Sequence, residues 1–334
     1  MRILVSGGTG FLGRAIVREL DRSGHSLRLL VRPRADRERF PAGVEFAAGD
    51  VTDRASFESA ARGCEALVHA AALVKIAAPA AEFDRVNIGG LENALAAATA
   101  ANCRVLHVSS FMALGPTERG VGGQLDESSG PSTFSDRTWI NSYQRTKTLA
   151  DRVARRAMAS GMPLSVVYPG VIYGPGELTE GNIVVRHVLD LLRRKMPVLL
   201  GNPDRRWNYA YVDDVAHGVA LALAAPAGRR YVLGGENVSQ GDFYRTVGEL
   251  SGVRMPTRRL PDGLATVLGA AEKSMARLRG VTPKLTPDLV EVYRHDWAYS
   301  SALAEHELGY RARPLREGLT DTLRWLKESG AWRA

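Results

Sequence analysis

The stretch that most restricts what this chain can become is its first thirteen residues, MRILVSGGTGFLG. Ile3-Leu4-Val5 reads as a buried strand, a glycine-rich turn follows, and the apolar spacing predicts a helix over about 11–21. Gly7, Gly10 and Gly13 recur every third residue, and read from Gly8 the stretch also fits G-x-G-x-x-G. In a strand–turn–helix unit one glycine permits the tight turn, one lets a pyrophosphate approach the backbone, and one lets the helix pack close to the strand. The helix N-terminus adds free N–H groups and partial positive charge. The stretch points to a dinucleotide site, with Gly7, Thr9, Gly10, Phe11, Leu12 and Gly13 as candidate contacts.

Strand-like and helix-like segments alternate behind this turn. Residues 27–31, 44–47, 66–70, 104–108 and 164–168 read as strands, with helices over 56–62, 83–101 and 142–161. Such alternation of apolar strands and helices predicts an α/β chain with a Rossmann-type doubly wound parallel sheet. After Pro169 the pattern becomes mixed. Helices are expected over 183–194, 212–225, 240–251, 264–279 and 301–308, a strand-like piece over 198–200, and a strand over 231–233 that can rejoin the sheet. The expected division is a nucleotide-binding domain over 1–170, to which 211–235 returns, and a smaller C-terminal substrate lobe from 171–210 and 236–334.

Composition narrows the class. A chain of 334 residues with 45% hydrophobic and 24% charged residues suits a soluble globular protein. No signal-peptide pattern opens it, and no apolar run approaches the ~18 residues of a membrane span, so no membrane insertion is expected. Two cysteines, Cys64 and Cys103, imply no disulfide framework and fit the cytoplasm. The net charge of +8 rests almost wholly on arginine, since the chain has six lysines. These basic residues are scattered, without a recognition helix or an aromatic RNA motif, so no nucleic-acid partner is expected. The seven histidines lack metal-ligand spacing, and His69 and His107 in apolar strands read as core residues.

A nicotinamide dinucleotide site for NAD normally carries an acidic residue after the second strand, which takes the ribose hydroxyls. Here that place holds Val31-Arg32, followed by Arg34 and Arg37. A guanidinium binds a 2′-phosphate bidentately, so NADP(H) is the expected cofactor; adenine stacking and simple solvation are the other uses open to Arg32. Asp50-Val51, after the third strand, sits where an adenine edge would lie, with a turn role for Asp50 and a helix-capping role for Asp53 beside that.

Tyr143-Gln-Arg-Thr-Lys147 places a phenol and an ammonium four residues apart, on one face of a helix. Ser109-Ser110 closes the fifth strand at the carboxyl edge. These residue types can run a hydride-transfer site. A phenol titrates near ~10, too high for acid–base work at neutral pH, and a neighbouring ammonium and a cationic nicotinamide lower it. A serine hydroxyl holds the substrate oxygen. A chain that uses arginine almost everywhere has lysine at 147, where a compact ammonium fits beside a ribose and a phenol.

Taken together, GGTGFLG at 7–13, GDVTD at 49–53, HAAA at 69–72, VN at 86–87, SSFMALG at 109–115, YQRTK at 143–147, YPGVIYGPG at 168–176 and YVDDVA at 211–216 resemble the extended short-chain dehydrogenase/reductase family, in its order and over about two-thirds of the chain. SSFMALGPT, YPGVIYGPGELT and HDWAYSSALAEHELGY at 295–310 resemble its dihydroflavonol reductase-like and farnesol dehydrogenase-like branch. The resemblance implies Ser110, Tyr143 and Lys147 as catalytic residues, and it selects Ser110 over Ser109. It further implies that Ala70 and Ala71 line the cofactor with Lys147 on its ribose, that Asn87 supports the site, and that Pro169 and the backbone at Val171 hold the nicotinamide carboxamide. It implies a homodimer through the helices over 83–101 and 142–161, although sheet packing explains their Ala-rich faces equally well. NAD(H) use also occurs in this branch, so the cofactor choice stays open there.

The substrate side reads as apolar. Val74 and Ile76, then Phe111, Met112, Phe134 and Trp139, then Tyr173 and Leu178 lie on three stretches that can wall a hydrophobic alcohol, aldehyde or ketone; Phe111, Met112, Trp139 and Tyr173 are the chosen candidates, and packing between lobes is the plainer use. Arg205 and Arg206 keep a second activity in view, an NDP-sugar epimerase or dehydratase gripping a diphosphate. A third is a cofactor-binding regulator without turnover, but such relatives lose the tyrosine or lysine kept here. The segment 264–279 reads as a basic-tipped amphipathic helix suited to lobe packing, a lid or a membrane surface.

Overall fold

The computed structural model describes residues 1–75, 78–117, 125–129 and 139–333. The first half alternates as β1 (Arg2–Ser6), α1 (Phe11–Arg22), β2 (Ser26–Val31), β3 (Glu45–Ala48), α2 (Arg54–Ala61), β4 (Ala66–His69), α3 (Ala80–Phe83), α4 (Gly90–Ala101), β5 (Arg104–Val108), α5 (Ser142–Ala159) and β6 (Leu164–Pro169). The second half runs β7 (Val171–Tyr173), α6 (Ile183–Leu192), β8 (Leu199–Leu200), β9 (Arg206–Tyr211), α7 (Val212–Ala224), β10 (Arg230–Leu233), β11 (Glu236–Ser239), α8 (Gln240–Ser251), β12 (Arg259–Leu260), α9 (Asp262–Arg279), α10 (Pro287–Tyr293), α11 (Ala302–Leu308) and α12 (Leu315–Glu328).

Seven strands form one sheet in the order β10-β6-β5-β4-β1-β2-β3, and every neighbouring pair is parallel. The doubly wound parallel sheet is as expected. Its central strands are apolar on both sides because helices cover both faces. Leu4, Leu67, Val105 and Val166 pack toward α2, α4 and α5, while Ile3, Val5, Val68, Leu106 and Val167 pack toward α1 and α7. The chain turns back between β1 and β4, the switch point where ligands bind in such sheets.

Two smaller sheets stand beyond the carboxyl edge, β11-β9-β7 and β12-β8. Strand β10 returns to the main sheet beside β6, with Tyr231 opposite Val167. Helices α10 and α12, strands β9 and β11 and their pairing were not evident from the sequence pattern.

One expected element is corrected. The helix over 83–101 is not continuous: α3 passes into a π-helical turn, Asp84–Gly89, before α4 begins. The wider turn carries Asn87 inward, where its amide bonds to groups on two other elements.

Candidate active site

The glycine turn is set by close approach. Gly7 has φ +78°, and a Cβ there would lie 2.5 Å from the backbone nitrogen of Ala71. A Cβ on Gly13 would lie 2.0 Å from the Gly7 carbonyl oxygen. Gly10 is exposed and caps α1 without any side-chain hydrogen bond. The N–H groups of Phe11, Leu12 and Gly13 precede the first intrahelical bond, so they face the place an anion would take. Phe11 itself is buried under the following loop, since a Cβ on Gly176 would lie 2.8 Å from its ring; only its backbone is offered. Thr9 and Leu12 are half-buried beside it. This tight, side-chain-free cradle fits the phosphates of a dinucleotide.

Arg32 is exposed at the end of β2. Asp50 follows β3 and accepts hydrogen bonds from the N–H of Thr52 at 2.9 Å and its hydroxyl at 2.8 Å, so the turn role is the one seen. Burial works against its charge, but these bonds and the nearby Arg32 and Arg85 hold the carboxyl below its ordinary range. Val51 packs on α4, 3.3 Å from where a Gly90 Cβ would stand. Asp53 caps α2 by accepting from the N–H of Ala55. Ala70 and Ala71 are half-buried after β4, Ala71 against Gly7. Arg14, unremarked in the sequence, places its Nη2 3.3 Å from Asp36 and stacks on Phe40 at 4.8 Å, while its Nε and Nη1 are buried without partners.

The three catalytic candidates meet at the carboxyl edge of β5. Ser110 leaves that strand in extended conformation, and its Oγ accepts from the N–H of Met112 at 3.2 Å. Helix α5 starts two residues before Tyr143's neighbour Gln144, capped by Asn141, whose side chain accepts from the Gln144 N–H at 2.8 Å. Gln144 answers through Oε1, accepting from the N–H of Ile140 at 2.9 Å, in the manner of a capping box. This cap fixes the first turn, hence Tyr143. Lys147 lies one turn on, with Nζ 5.8 Å from the Tyr143 ring centre and 3.5 Å from the Ser109 carbonyl oxygen it donates to. Burial pushes the Tyr143 phenol up to about 12, and a hydrogen bond with the Ser110 hydroxyl opposes that rise. Burial pulls the Lys147 ammonium down to about 8, which leaves it charged at neutral pH.

Asn87 braces this group. Its Oδ1 accepts from the Leu73 N–H at 2.7 Å, and its Nδ2 donates to the Leu73 carbonyl and to Thr146 Oγ1 at 3.0 Å. It thereby joins the segment after β4 to α5. At the end of β6, Pro169 and Val171 are buried and flank Gly170, where a Cβ would lie 2.3 Å from Asn208 Oδ1. Asn208 donates through Nδ2 to Gly235 and Tyr299 carbonyls, so it fixes the bend between β6 and β7. The small pair Gly234-Gly235 is the sequence signal that could have pointed to it.

The apolar candidates divide. Phe111 is half-buried, its ring 5.3 Å from Trp297 and 5.7 Å from Tyr299. Trp139 is half-buried just before α5. Met112 is almost wholly buried in the main core. Tyr173 is corrected: it is 1% exposed, packs edge-on against Tyr209 and Tyr211, and directs its hydroxyl to the Leu315 carbonyl under α12. A ring enclosed on all sides supports the lobe and offers no face to a substrate. Ile76 and Phe134 lie outside the described residues. Residues 296–299, noted in the sequence only as a resemblance, bridge Thr117, Leu125 and Trp207, and Tyr299 Oη donates to the Gly115 carbonyl. The tail thus holds the loop that carries Phe111.

A parallel sheet with a phosphate cradle at its switch point, and a serine, tyrosine and lysine at the adjoining edge, defines an NAD(P)-dependent dehydrogenase/reductase of the short-chain kind. Comparison with known proteins then fixes the family. The chain belongs to the NAD dependent epimerase/dehydratase family, whose sequence model matches residues 3–234. A Synechocystis protein provisionally named dihydroflavonol 4-reductase is 29% identical, with 98% of this chain and 94% of that one aligned. The 3 beta-hydroxysteroid dehydrogenase/Delta 5-->4-isomerase of Mycobacterium tuberculosis is 30% identical, covering 96% of this chain and 89% of its own. The crystal structure of gox2253 superposes with a TM-score of 0.83 at 32% identity, over 99% of both chains.

Proposed function

We propose that the protein is an NADP(H)-dependent oxidoreductase that interconverts a carbonyl and an alcohol on a hydrophobic, flavonoid-, terpenoid- or steroid-like small molecule, with Tyr143 as acid and base. The observation that carries this reading is the meeting of Ser110, Tyr143 and Lys147 at one edge. The nicotinamide, when bound, supplies or accepts the hydride. Ser110 Oγ holds the substrate oxygen. Tyr143 Oη gives that oxygen its proton in reduction and takes it back in oxidation. The Lys147 ammonium, which donates to the Ser109 carbonyl, would bind the cofactor ribose, and the Ser110 hydroxyl opposes the burial that raises the phenol. Gly7 through Gly13 and Ala70-Ala71 would hold the phosphates, and Pro169 and Val171 the carboxamide. The flavonoid and steroid names of the relatives, with Phe111 and Trp139 near the site, support an apolar substrate. A homodimer through α4 and α5 belongs to the same proposal.

The phosphorylated cofactor is supported by Arg32, which stands open at the end of β2 and acts on Asp50. The sugar-nucleotide alternative relied on Arg205 and Arg206. Arg205 Nη1 instead lies 3.2 Å from Asp296, and the N–H of Arg206 donates to the same carboxylate. The Arg205 side chain thus holds the tail, which weakens that alternative, while the exposed Arg206 guanidinium donates to the Asn237 carbonyl.

The test is an NADPH-oxidation screen over flavonoids, terpenoid aldehydes, steroids and NDP-sugars. Turnover of a hydrophobic carbonyl is expected, falling by about 10²–10⁴ in Tyr143→Phe. Transformation of NDP-sugars alone, without net NADPH consumption, overturns the proposal. Michaelis constants for NADPH and NADH are expected to reverse their order in Arg32→Asp; the same preference in both proteins removes the phosphate role from Arg32.

A further inference from the structure

Helix α9 is packed with its apolar side outward. Among its eighteen residues the buried ones are Ala265, Gly269 and Ala276. The small residues seat it on the start of α10: a Cβ on Gly269 would lie 2.9 Å from the Thr286 backbone. The large apolar side chains face away. Leu264, Val267, Leu268, Met275 and Leu278 are 45–87% exposed, and Val281 just beyond the helix is 60% exposed. Only three other large hydrophobic side chains, Met1, Val74 and Ile183, are exposed among the described residues. Positions 264, 268, 271, 275 and 278 recur at spacings of four and three, so they form one stripe along the helix. A contiguous apolar stripe in water marks an interaction surface.

The charge around the stripe selects its occupant. Residues 254–284 hold seven basic side chains against Asp262 and Glu272. Lys273 pairs with Asp288 of α10 at 3.5 Å, and Arg254, Arg258, Arg259, Arg277, Arg279 and Lys284 are the exposed basic residues before, on and after the helix. A second copy of the chain meeting here would press two strongly positive flanks together. An anionic headgroup layer neutralises them, while the acyl boundary takes up the stripe. No helix among the described residues is long and apolar enough to cross a membrane, so the helix would lie in the plane of the surface. We propose that the outer face of α9, with its basic flanks, docks on the surface of an anionic lipid bilayer. This stands apart from the reading of the redox site.

Co-sedimentation with vesicles tests it. The wild-type protein is expected to bind phosphatidylcholine vesicles that contain phosphatidylglycerol, to bind pure phosphatidylcholine at least about tenfold more weakly, and to be released by high salt. Val267→Ser/Leu278→Ser, and separately Arg277→Glu/Arg279→Glu, are expected to lose vesicle binding while keeping the wild-type melting temperature and NADPH affinity. All four positions are exposed, so neither variant disturbs the core. No binding to the anionic vesicles, or binding by both variants equal to wild type, overturns the proposal. So does lipid-free self-association of the wild type in the ultracentrifuge that the Val267→Ser/Leu278→Ser variant abolishes, since the face would then be a protein interface.

Discussion

His107 on β5 stacks on His69 of β4 with ring centres 5.5 Å apart, and both rings are buried. His69 has one partner, the Ser6 hydroxyl, at 2.7 Å through Nδ1; its Nε2 and both nitrogens of His107 have none. Burial, with Lys147 adding to it, pulls His69 down to about 3, and His107 lies well below its ordinary value for the same reasons and the neighbouring His69. Both are neutral in the fold. Below about 6.5 the unfolded chain takes up protons that the folded chain refuses, so stability is lost as pH falls. Each histidine then costs about 2 kcal/mol at pH 5 relative to neutral pH. His107→Phe is expected to flatten the pH dependence of unfolding free energy between pH 7 and pH 5 by that amount. An unchanged slope would show that His107 is protonated in the fold. At this scale the sequence was most legible where spacing is local. Tyr143 and Lys147 lie one helical turn apart, and the placement of both histidines in apolar strands marks them as core. The enclosure of Tyr173 was hidden, because α12 and β9, which close over it, are distant in the chain.

The π-helical turn before α4 shows what periodicity misses. The turn reads Asp-Arg-Val-Asn-Ile-Gly, a run with no breaker inside it, so nothing in the spacing marks a widened turn. The widening is held by partners on other elements, the Leu73 backbone and Thr146, through Asn87. Asn87→Ala is therefore expected to cost about 1–3 kcal/mol of stability. It should also speed hydrogen exchange at the Leu73 amide and lower kcat more than it raises the cofactor KM. A drop in stability with wild-type kcat would confine Asn87 to packing. The seven parallel strands, by contrast, were legible almost to their ends, because strands covered on both faces must be continuously apolar. The small sheets were not, since β7, β9 and β11 pair through registers that the chain order does not display.

Across the whole molecule, the tail from 295 to 299 joins parts that are far apart in sequence. Trp297 donates its indole N–H to the Val292 carbonyl, lies edge-on to Phe111, and hands its own carbonyl to the N–H of Asn208. Trp297→Ala is expected to destabilise the fold by about 3–5 kcal/mol. Because Phe111 loses its support, kcat/KM for an apolar substrate should fall while cofactor affinity, set at the glycine turn after β1, holds. Equal losses of both would mean that the tail supports the sheet as a whole.

This stitching also orders events in time during synthesis. The bond from Tyr299 to Gly115 joins residues 184 apart. A ribosome adds roughly 5–20 residues each second, so the interval is on the order of ten to forty seconds. Six neighbouring strands and the phosphate cradle can be in place long before the clasp on the Phe111 loop has been made. On the proposed roles of the glycine turn and the Phe111 loop, cofactor capture would precede substrate competence, and a nascent chain halted before residue 297 would carry the finished turn beside an unclasped loop.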